Sequence, residues 1–444
     1  MKTKHLFPVR LLALWLLSLP SAAAFATQTA SATAEAAPPL DENAVISLVT
    51  CAPGEEVWAH YGHSAIRVRD GRRDLCFNYG IFDFGAPHFL WRFISGQTDY
   101  ILGVSRTKTF MDEYRAENRP VSEQTLHLMP SEKEALWQAL WTNSLPENRT
   151  YRYNFIYDNC ATRSRIIIER QLAGTVAYDS TLLFPTLREA VRHYTRPHPW
   201  TWLGICLLLG SPADRPATFS ELLFAPDVME KAFATAWIGP EVLSDSCDCL
   251  PLREKAEPLV AQTRRLVESR GGIEGKTRSW PGPTAVCWIV SAVVLLICYS
   301  EYRQRKVLLL PDLLIFGTAG LAGIIIAFLA FFSLHPLVQH NWLLLWLHPL
   351  QLCLAIGLCS GKLRRSLPFR CWLWLQLGLC LFALAGGLFL PQYYHPAFYP
   401  LILCLVFRLL TRLLARPTGL VPPAQQKKRI ISWASITLRN IVSG

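Results

Sequence analysis

Five apolar runs, each nearly free of charged residues, constrain the fold of this chain more than any other feature. They cover residues 284–300, 308–334, 342–360, 371–391 and 397–414. The hydrocarbon core of a bilayer is about 30 Å thick, so a helix needs about 20 apolar residues to cross it. We therefore predict an all-α transmembrane domain of about five helices in the C-terminal part of the chain.

Lys and Arg residues divide the loops between these runs into two classes. Basic residues cluster after the first, third and fifth runs, within 303–306, 362–370 and 412–429, whereas the loops at 335–341 and 392–396 contain none. Short cytoplasmic loops carry the excess of Lys and Arg. We therefore expect the region before the first run to lie outside the cytoplasm, and the C-terminal tail, 417–444, to lie inside it.

The N-terminus has the three parts of an export signal. Lys2, Lys4 and Arg10 supply positive charge, an apolar run follows at 11–19, and residues 24–26 (Ala-Phe-Ala) offer a small-residue cleavage site. We predict a signal peptide over 1–26, a flexible tether over 27–43 and a periplasmic domain over 44–275, on a multi-pass inner-membrane protein. An uncleaved N-terminal anchor is the alternative, although its apolar run is short for a span.

The composition and motifs of the sequence limit the kinds of partner and cofactor that we expect. The net charge of +11 comes from scattered Lys and Arg rather than from one basic run, so we expect no nucleic-acid partner. Phosphate-binding glycine loops and typical metal-ligand spacings are missing, so we expect no cofactor and no metal. A periplasmic location permits disulfides, but the sequence leaves open the pairing of the cysteines before the apolar runs: Cys51, Cys76, Cys160, Cys206, Cys247 and Cys249.

A β-hairpin is predicted between residues 64 and 79. Residues 64–69 alternate apolar and basic side chains, Asp70 and Gly71 form a turn signal, and 75–79 supply a second apolar strand. A turn centred near Arg72 places His63 opposite the neighbourhood of Asn78, within reach of a cross-strand pair. The sequence does not fix the register, which decides whether the two side chains share a face.

Cys160 is predicted to open a helix. Residues 151–157 are strand-like, Asp158 or Asn159 is suited to the N-cap, and 161–173 are compatible with a helix that ends at Gly174. In a first helical turn, the helix dipole and the free amides stabilise a thiolate and lower its pKa from about 8.5. The same amides can bind the oxyanion of an acyl intermediate.

Cys160, His63 and Asn78 together supply a thiol, a base and a residue that orients the base, the set that nucleophilic catalysis by cysteine requires. Each residue alone is more simply interpreted as structural, and their combination favours catalysis. His60 is a rival base, three residues earlier. A metal site built from His60, His63 and a cysteine is a further alternative, which no typical ligand spacing supports.

Residues 61–68 (YGHSAIRV), followed by Asn159 and Cys160, resemble the circularly permuted papain-like proteins. This group contains lecithin:retinol acyltransferase, and its histidine precedes its cysteine, whereas the wider NlpC/P60 peptidases have the opposite order. The resemblance implies an α+β fold for the periplasmic domain, with Cys160 as nucleophile and His63 as base. It implies Asn78 as the third polar residue, where those acyltransferases often have a second histidine.

Four segments, 50–63, 77–80, 154–163 and 210–212, followed by the multi-span tail, resemble the Bacteroides-type lipoprotein N-acyltransferases, the Lnb family. The resemblance implies that an acyl chain moves from a phospholipid, through a thioester on Cys160, to the α-amino group of the S-diacylglyceryl cysteine of a lipoprotein. The implied partners are the phospholipid donor, the diacylated lipoprotein acceptor and the membrane.

Two other functions remain open. One is a membrane-anchored papain-like cysteine hydrolase that acts on peptidoglycan peptides or lipids, and the other is a non-catalytic scaffold that binds lipoproteins. The candidate substrate-binding residues are Tyr61, Tyr79, Asn159, Arg163, His335 and His340. Residues 200–209, too short to span, are predicted to lie at the membrane interface or to line an acyl groove, with a buried core segment as the alternative. Residues 252–269 are predicted to form a helix that leads to the membrane.

Overall fold

The computed structural model describes residues 37–82, 85, 87–181, 183–240, 255–269 and 281–414. The predicted signal peptide, most of the tether, the C-terminal tail, and Cys247 and Cys249 lie outside these residues. Contacts divide the chain after Ala37, so the periplasmic region and the apolar helices belong to one compact unit, Pro38–Gly444.

The region before the apolar helices combines two antiparallel sheets with helices, an α+β arrangement. Its strands are β1 (Val45–Cys51), β2 (His63–Arg69), β3 (Asp74–Ile81), β4 (Asp99–Arg106), β5 (Val121–Leu126), β6 (Thr150–Arg152), β7 (Val176–Ala177), β8 (Trp237–Ile238), β9 (Glu257–Pro258) and β10 (Val260–Val267). The larger sheet has seven strands in the order β10-β5-β1-β2-β3-β4-β6, and the smaller one has the order β7-β8-β9. The predicted α+β class is therefore confirmed.

Helices cover the larger sheet and connect it to the membrane part. They are α1 (Phe89–Ser95), α2 (Thr107–Ala116), α3 (Pro130–Ser144), α4 (Cys160–Glu169), α5 (Leu187–Thr195), α6 (Pro199–Leu208), α7 (Phe219–Leu222) and α8 (Pro226–Thr235). Helix α4 packs against β2 and β3, whereas α2 buries Phe110, Met111 and Tyr114 against Ala65 and Cys76 of the same two strands. The hairpin β2–β3 therefore forms part of the core.

The predicted hairpin is confirmed, with Ile66 paired to Phe77 and Arg69 to Asp74. The Asp70 carboxylate accepts the Arg73 amide at 2.6 Å, which closes the turn between the strands. In this register, the start of β2 lies opposite the end of β3, which contains Asn78 and Gly80. It positions His63 and Asn78 at the same end of the sheet.

The predicted helix at 252–269 is wrong in its described part. Residues 260–267 form β10 at the edge of the larger sheet and pair with β5. Arg264 lies beside Glu123 of β5, with 2.5 Å between Nε and Oε2. The pairing with a distant strand outweighs the local preference of a charged segment that is also compatible with a helix.

The apolar part contains α9 (Pro283–Gln304), α10 (Leu310–Phe332), α11 (Leu350–Cys359), α12 (Gly361–Arg365), α13 (Leu367–Gly386) and α14 (Phe398–Leu414). Among the described residues, four stretches are long and apolar enough to cross a membrane: Pro283–Gln304, Leu310–Phe332, Pro336–Cys359 and Leu367–Gly386. The third stretch, predicted as one helix over 342–360, is broken into 3-10 turns at Pro336–Val338 and Trp342–Leu345 and the ten-residue helix α11. The fifth predicted span corresponds to α14, which has 17 residues.

A buried ionic cluster explains why α14 tolerates arginine. The fully buried Arg408 donates to Asp312 at 2.7 Å and to Glu301 at 2.7 Å. Arg412 also pairs with Asp312. Charges in an apolar environment are stable only when they are paired and hydrogen-bonded, so this cluster joins α9, α10 and α14.

The loops that follow the second and fourth apolar stretches lie on the same side as the sheets. The Gly210 amide donates to the Leu337 carbonyl at 2.8 Å, and Gln392 Nε2 donates to the Leu209 carbonyl at 3.2 Å. Helix α6, predicted as an interfacial or groove-lining segment, packs against α9 and α10. The periplasmic region is therefore seated directly on the ends of the membrane helices.

Candidate functional site

Cys160 is the first residue of α4, as its N-cap sequence predicts. Asn159 is the N-cap, and its Oδ1 accepts the Thr162 amide at 3.0 Å. Asn159 Nδ2 donates to the carbonyls of Phe155 and Phe224 at 2.8 and 2.9 Å. The buried Asn159, a predicted substrate-binding residue, is thus occupied in holding the turn that presents Cys160. The helix has its C-cap at Arg170 rather than at Gly174.

His63, Asn78 and Cys160 come together at the end of the hairpin. The His63 Nε2 lies 2.5 Å from Asn78 Oδ1, and it is the donor because an amide oxygen only accepts. The other ring nitrogen, Nδ1, is thereby left for the hydrogen bond between His63 and Cys160. Cys160 carries a free thiol and is only partly buried.

The site favours an ion pair of thiolate and imidazolium. Burial alone raises the pKa of Cys160, but the charge of His63 and the interactions with His63 and Ser64 lower that pKa below its ordinary value. Burial lowers the pKa of His63, whereas the charge and hydrogen bond of Cys160 and the bond to Asn78 raise it above its ordinary value. The two shifts have one cause, because each group stabilises the charged form of the other.

Ser64 and Gly80 are site residues that the sequence analysis missed. Ser64 helps to lower the pKa of Cys160. It is completely buried, and its hydroxyl has no hydrogen-bond partner among the described residues. Gly80 has a φ of 100°, and a Cβ there would lie 3.8 Å from Cys160 Cβ and 3.9 Å from His63 Cε1. Glycine adopts a positive φ without strain, so a glycine two residues after Asn78 is the sequence signal that could have indicated this position.

Three tyrosines surround this group. Tyr151, Tyr153 and Tyr61 are buried or partly buried, and burial raises the pKa of each. A charge on Cys160 raises the pKa of Tyr151 and Tyr153 further. The predicted binding residue Tyr61 packs against Phe155 with 4.7 Å between ring centroids. The surroundings of the thiol are therefore largely aromatic.

The other predicted binding residues are engaged in contacts within the protein. Tyr79 is buried, and Asn143 donates to its hydroxyl at 2.9 Å. Arg163 makes two hydrogen bonds to Asp158, at 2.6 and 2.8 Å, and its guanidinium lies 3.7 Å from the centroid of the Tyr151 ring. These contacts hold the loop before Cys160 against the sheet.

The two loop histidines and the rival base lie elsewhere. His335 donates to the Phe93 carbonyl at 2.9 Å, and His340 is exposed in a left-handed conformation with a φ of 48°. His60 donates to the Glu55 carbonyl at 3.0 Å and stacks on His198, with 4.0 Å between the ring centroids. Burial lowers the pKa of His60, the opposite of the shift at His63. His63 is therefore a better candidate for the base than His60.

Two cavities lie beside the site rather than in it. The first, of about 610 Å³, is lined by residues within 211–215 and by the loop 390–393. The second, of about 290 Å³, is lined by residues that include Thr162 and Arg165 of α4. Neither cavity is lined by Cys160 or His63. Among the described residues, no group of three His, Cys, Asp or Glu side chains is arranged to hold a metal ion.

Comparison with known proteins covers both parts of the chain. Residues 37–193 match the family model of the Lnb N-terminal periplasmic domain, and residues 275–417 match that of the Lnb transmembrane domain. No curated protein and no solved structure matches the chain significantly. A periplasmic domain joined to a transmembrane domain makes this an inner-membrane protein, and the family indicates an enzyme that processes membrane lipoproteins. The resemblance to the Bacteroides-type lipoprotein N-acyltransferases is thereby confirmed: the chain belongs to the Lnb family.

Proposed function

We propose that this protein is a cysteine-dependent phospholipid:lipoprotein N-acyltransferase. One observation carries the proposal: a free thiol at a helix start is paired with the His63–Asn78 couple, in a domain that rests on membrane helices. A thiolate with a neighbouring imidazolium is suited to acyl transfer through a thioester. Membrane helices keep the thiol beside lipid, where both proposed substrates reside.

In the first half-reaction, the Cys160 thiolate attacks an ester carbonyl of the phospholipid. The C–S bond forms, the C–O bond to the glycerol oxygen breaks, and the His63 imidazolium gives its proton to the departing alkoxide. The products are an acyl-thioester on Cys160, a lysophospholipid and neutral His63. The N–H groups of the first turn of α4 have no acceptor within the helix, and they are placed to stabilise the oxyanion of the tetrahedral intermediate.

In the second half-reaction, the α-amino group of the diacylated lipoprotein attacks the thioester. The C–N bond forms, the C–S bond breaks, and His63 accepts the proton of the amine, which restores the ion pair with Cys160. Asn78 accepts from Nε2 throughout and keeps Nδ1 directed at the sulfur. This division of roles among Cys160, His63 and Asn78 matches the proposed circularly permuted papain-like arrangement.

The orientation in the membrane belongs to the same proposal. The periplasmic region and the loops after the second and fourth apolar stretches lie on one side, and the basic loops follow the other helix ends. With α14 as a fifth span, the C-terminus lies in the cytoplasm. A reporter fused after Leu414 that is active only in the periplasm should therefore remain inactive.

The decisive experiment replaces Cys160 with Ala in cells that lack other copies of the enzyme, with Cys76→Ala as the matched control. Cys76 is buried in the same sheet and also has a free thiol. Mass spectrometry of lipoprotein N-termini should show the loss of N-acylation in Cys160→Ala and its retention in the control. N-acylated lipoproteins that persist in Cys160→Ala would reject the transferase. Release of free fatty acid by the purified wild type, without N-acylation of an added lipoprotein, would identify a hydrolase instead.

A further inference from the structure

Helix α1 presents large apolar side chains to the outside of the protein. Leu90, Trp91 and Phe93 are 68%, 60% and 43% exposed, although the helix has only seven residues. Three such side chains on one short helix form an apolar patch of a kind that soluble surfaces rarely expose without a partner. The position of α1 indicates what that partner is.

The end of a membrane helix holds α1 in place. Ser333, Leu334 and His335, directly after α10, donate hydrogen bonds of 2.8, 2.9 and 2.9 Å to three consecutive carbonyls at the end of α1. The Trp91 ring also lies 4.9 Å from the ring of Phe328 on α10. A helix fixed to the last turn of a spanning helix lies at the bilayer interface, where tryptophan and phenylalanine are favoured.

A row of aromatic rings continues from α1 into the protein. We name Phe93, Phe89, Phe82, Tyr100 and Tyr153 the aromatic row. Successive ring centroids along it are 6.1, 6.1, 5.0 and 4.0 Å apart. Its contour is longer than the hydrocarbon layer of one leaflet, which is about 15 Å thick.

The inner end of the aromatic row lies at the thiol. Phe82 follows β3 two residues after Gly80, and a Cβ at Gly80 would lie 3.8 Å from Cys160 Cβ. Tyr153 stacks on Tyr100, and a charge on Cys160 contributes to the raised pKa of the Tyr153 hydroxyl. The aromatic row therefore connects an apolar helix at the membrane surface with the reactive sulfur.

We propose that α1 inserts into the outer leaflet and that the aromatic row holds the acyl chain of the donor phospholipid between the bilayer and Cys160. This inference rests on the proposed function and specifies the path that the substrate takes. An acyl chain in contact with rings along its length reaches the thiol without being exposed to water, which removes the hydrophobic cost of lifting it from the bilayer. The ester at its head then lies beside Cys160.

The test compares a bilayer donor with a soluble one in the full-length protein. Leu90→Glu and Trp91→Glu are purified beside the wild type, and acylation of Cys160 is followed by intact-protein mass spectrometry. One donor is phosphatidylethanolamine with oleoyl chains in vesicles, and the other is a dibutanoyl phospholipid below its micelle concentration. A charge on α1 should lower the ratio of long-chain to short-chain acylation rates about tenfold or more, since it opposes insertion. Leu90→Glu also tests the idea if Trp91→Glu, which loses its contact with Phe328, fails to fold.

Trp237→Glu is the matched control, because Trp237 is 51% exposed but lies on the small sheet at β8. Its ratio of rates should equal that of the wild type. An unchanged ratio in both α1 variants would overturn the path through the aromatic row while the acyl-thioester itself stands. No acylation of the wild type by either donor would instead reject the proposed function.

Discussion

Cys51 and Cys160 are both neighbours of His63, yet their thiols differ. Cys51 is the direct partner of His63 in the pairing of β1 with β2, and Cys160 approaches His63 from α4. Burial raises the pKa of Cys51, and a hydrogen bond with Tyr114 opposes that rise only in part. At Cys160, the His63 charge and the interaction with Ser64 reverse the effect of burial on the pKa. Distance along the chain from the histidine therefore does not decide which cysteine is reactive.

The pKa values of the two cysteines are shifted in opposite directions because their side chains have different surroundings. Cys51 points into the apolar cluster with Phe110, Met111 and Tyr114 on the α2 side of the sheet. Cys160 opens α4, where the helix dipole and the His63 ring both favour the thiolate. One cysteine packs the core, and the other is placed to react.

The strongest test removes the base. His63→Gln should lower the rate of thioester formation on Cys160 about 10²–10⁴-fold, because the proton donor and acceptor is lost. It should also raise the pKa of Cys160 toward that of Cys51. Rates of Cys160 acylation and the pH dependence of its alkylation measure both effects.

His60→Gln is the control for this test, since a glutamine amide can replace the bond from His60 to the Glu55 carbonyl. Its acylation rate should remain close to that of the wild type. An equal loss in both variants would show that His63 is not the base. The contrast between Cys160 and Cys51 would then need a cause other than the His63 ring.

The pH dependence of alkylation measures the ionisation of Cys160 and Cys51 directly. A thiol with an ordinary pKa of about 8.5 is only about 1% thiolate at pH 6.5. Because its pKa is lowered, Cys160 stays ionised as the pH falls below that value. Because its pKa is raised, His63 stays protonated as the pH rises above 6.5. The two shifts bring the pKa values of Cys160 and His63 toward each other and so favour the coexistence of thiolate and imidazolium. The imidazolium is lost as the pH rises, and the thiolate is lost as the pH falls.

At pH 6.5, iodoacetamide should modify Cys160 about 10²-fold faster than Cys51, as measured by peptide mapping. In denatured protein, both cysteines should react alike at the same pH. Labelling of Cys51 at a rate similar to that of Cys160 in the folded protein would remove the distinction between the two sites.

The glycine that directly precedes His63 offers a structural test of the comparison. Gly62 has a φ of 77°, and a Cβ there would lie 2.6 Å from the Cys51 carbonyl oxygen. Gly62→Ala should therefore lower the free energy of unfolding by about 2 kcal/mol and displace His63 from Cys160. Thermal unfolding in detergent and Cys160 acylation measure the two effects. Gly204→Ala on α6, where a Cβ meets no atom within 4 Å, should not destabilise the protein.

Local signals in the sequence predicted the central parts of the site. The Asp70 turn determined the hairpin, and the Asn159 cap determined that Cys160 opens a helix, because both depend on neighbouring residues. Ser64 was not predicted, because its contact with Cys160 arises from the packing of α4 on β2, far apart in the chain. The strand β10 was missed for the same reason, since it depends on pairing with β5.

Replacing Ser64 should have the smallest effect of these substitutions. It tests how much the Ser64 hydroxyl contributes to the difference in pKa between Cys160 and Cys51. Ser64→Ala keeps the backbone beside Cys160 but removes a buried hydroxyl that has no other partner among the described residues and that we expect to donate to the thiolate. A hydrogen bond to a charged group contributes about 1.5–3 kcal/mol. The pKa of Cys160 should rise toward its ordinary value, and alkylation at neutral pH should slow about tenfold. The matched control is Ser47→Ala, because Ser47 is also a buried serine whose hydroxyl has no partner among the described residues, but it lies on β1 opposite Arg67 rather than opposite His63. If Ser64→Ala and Ser47→Ala both react like the wild type, the His63 ring alone accounts for the contrast with Cys51. A slower reaction confined to Ser64→Ala would show that a buried hydroxyl helps to make Cys160 the reactive thiol.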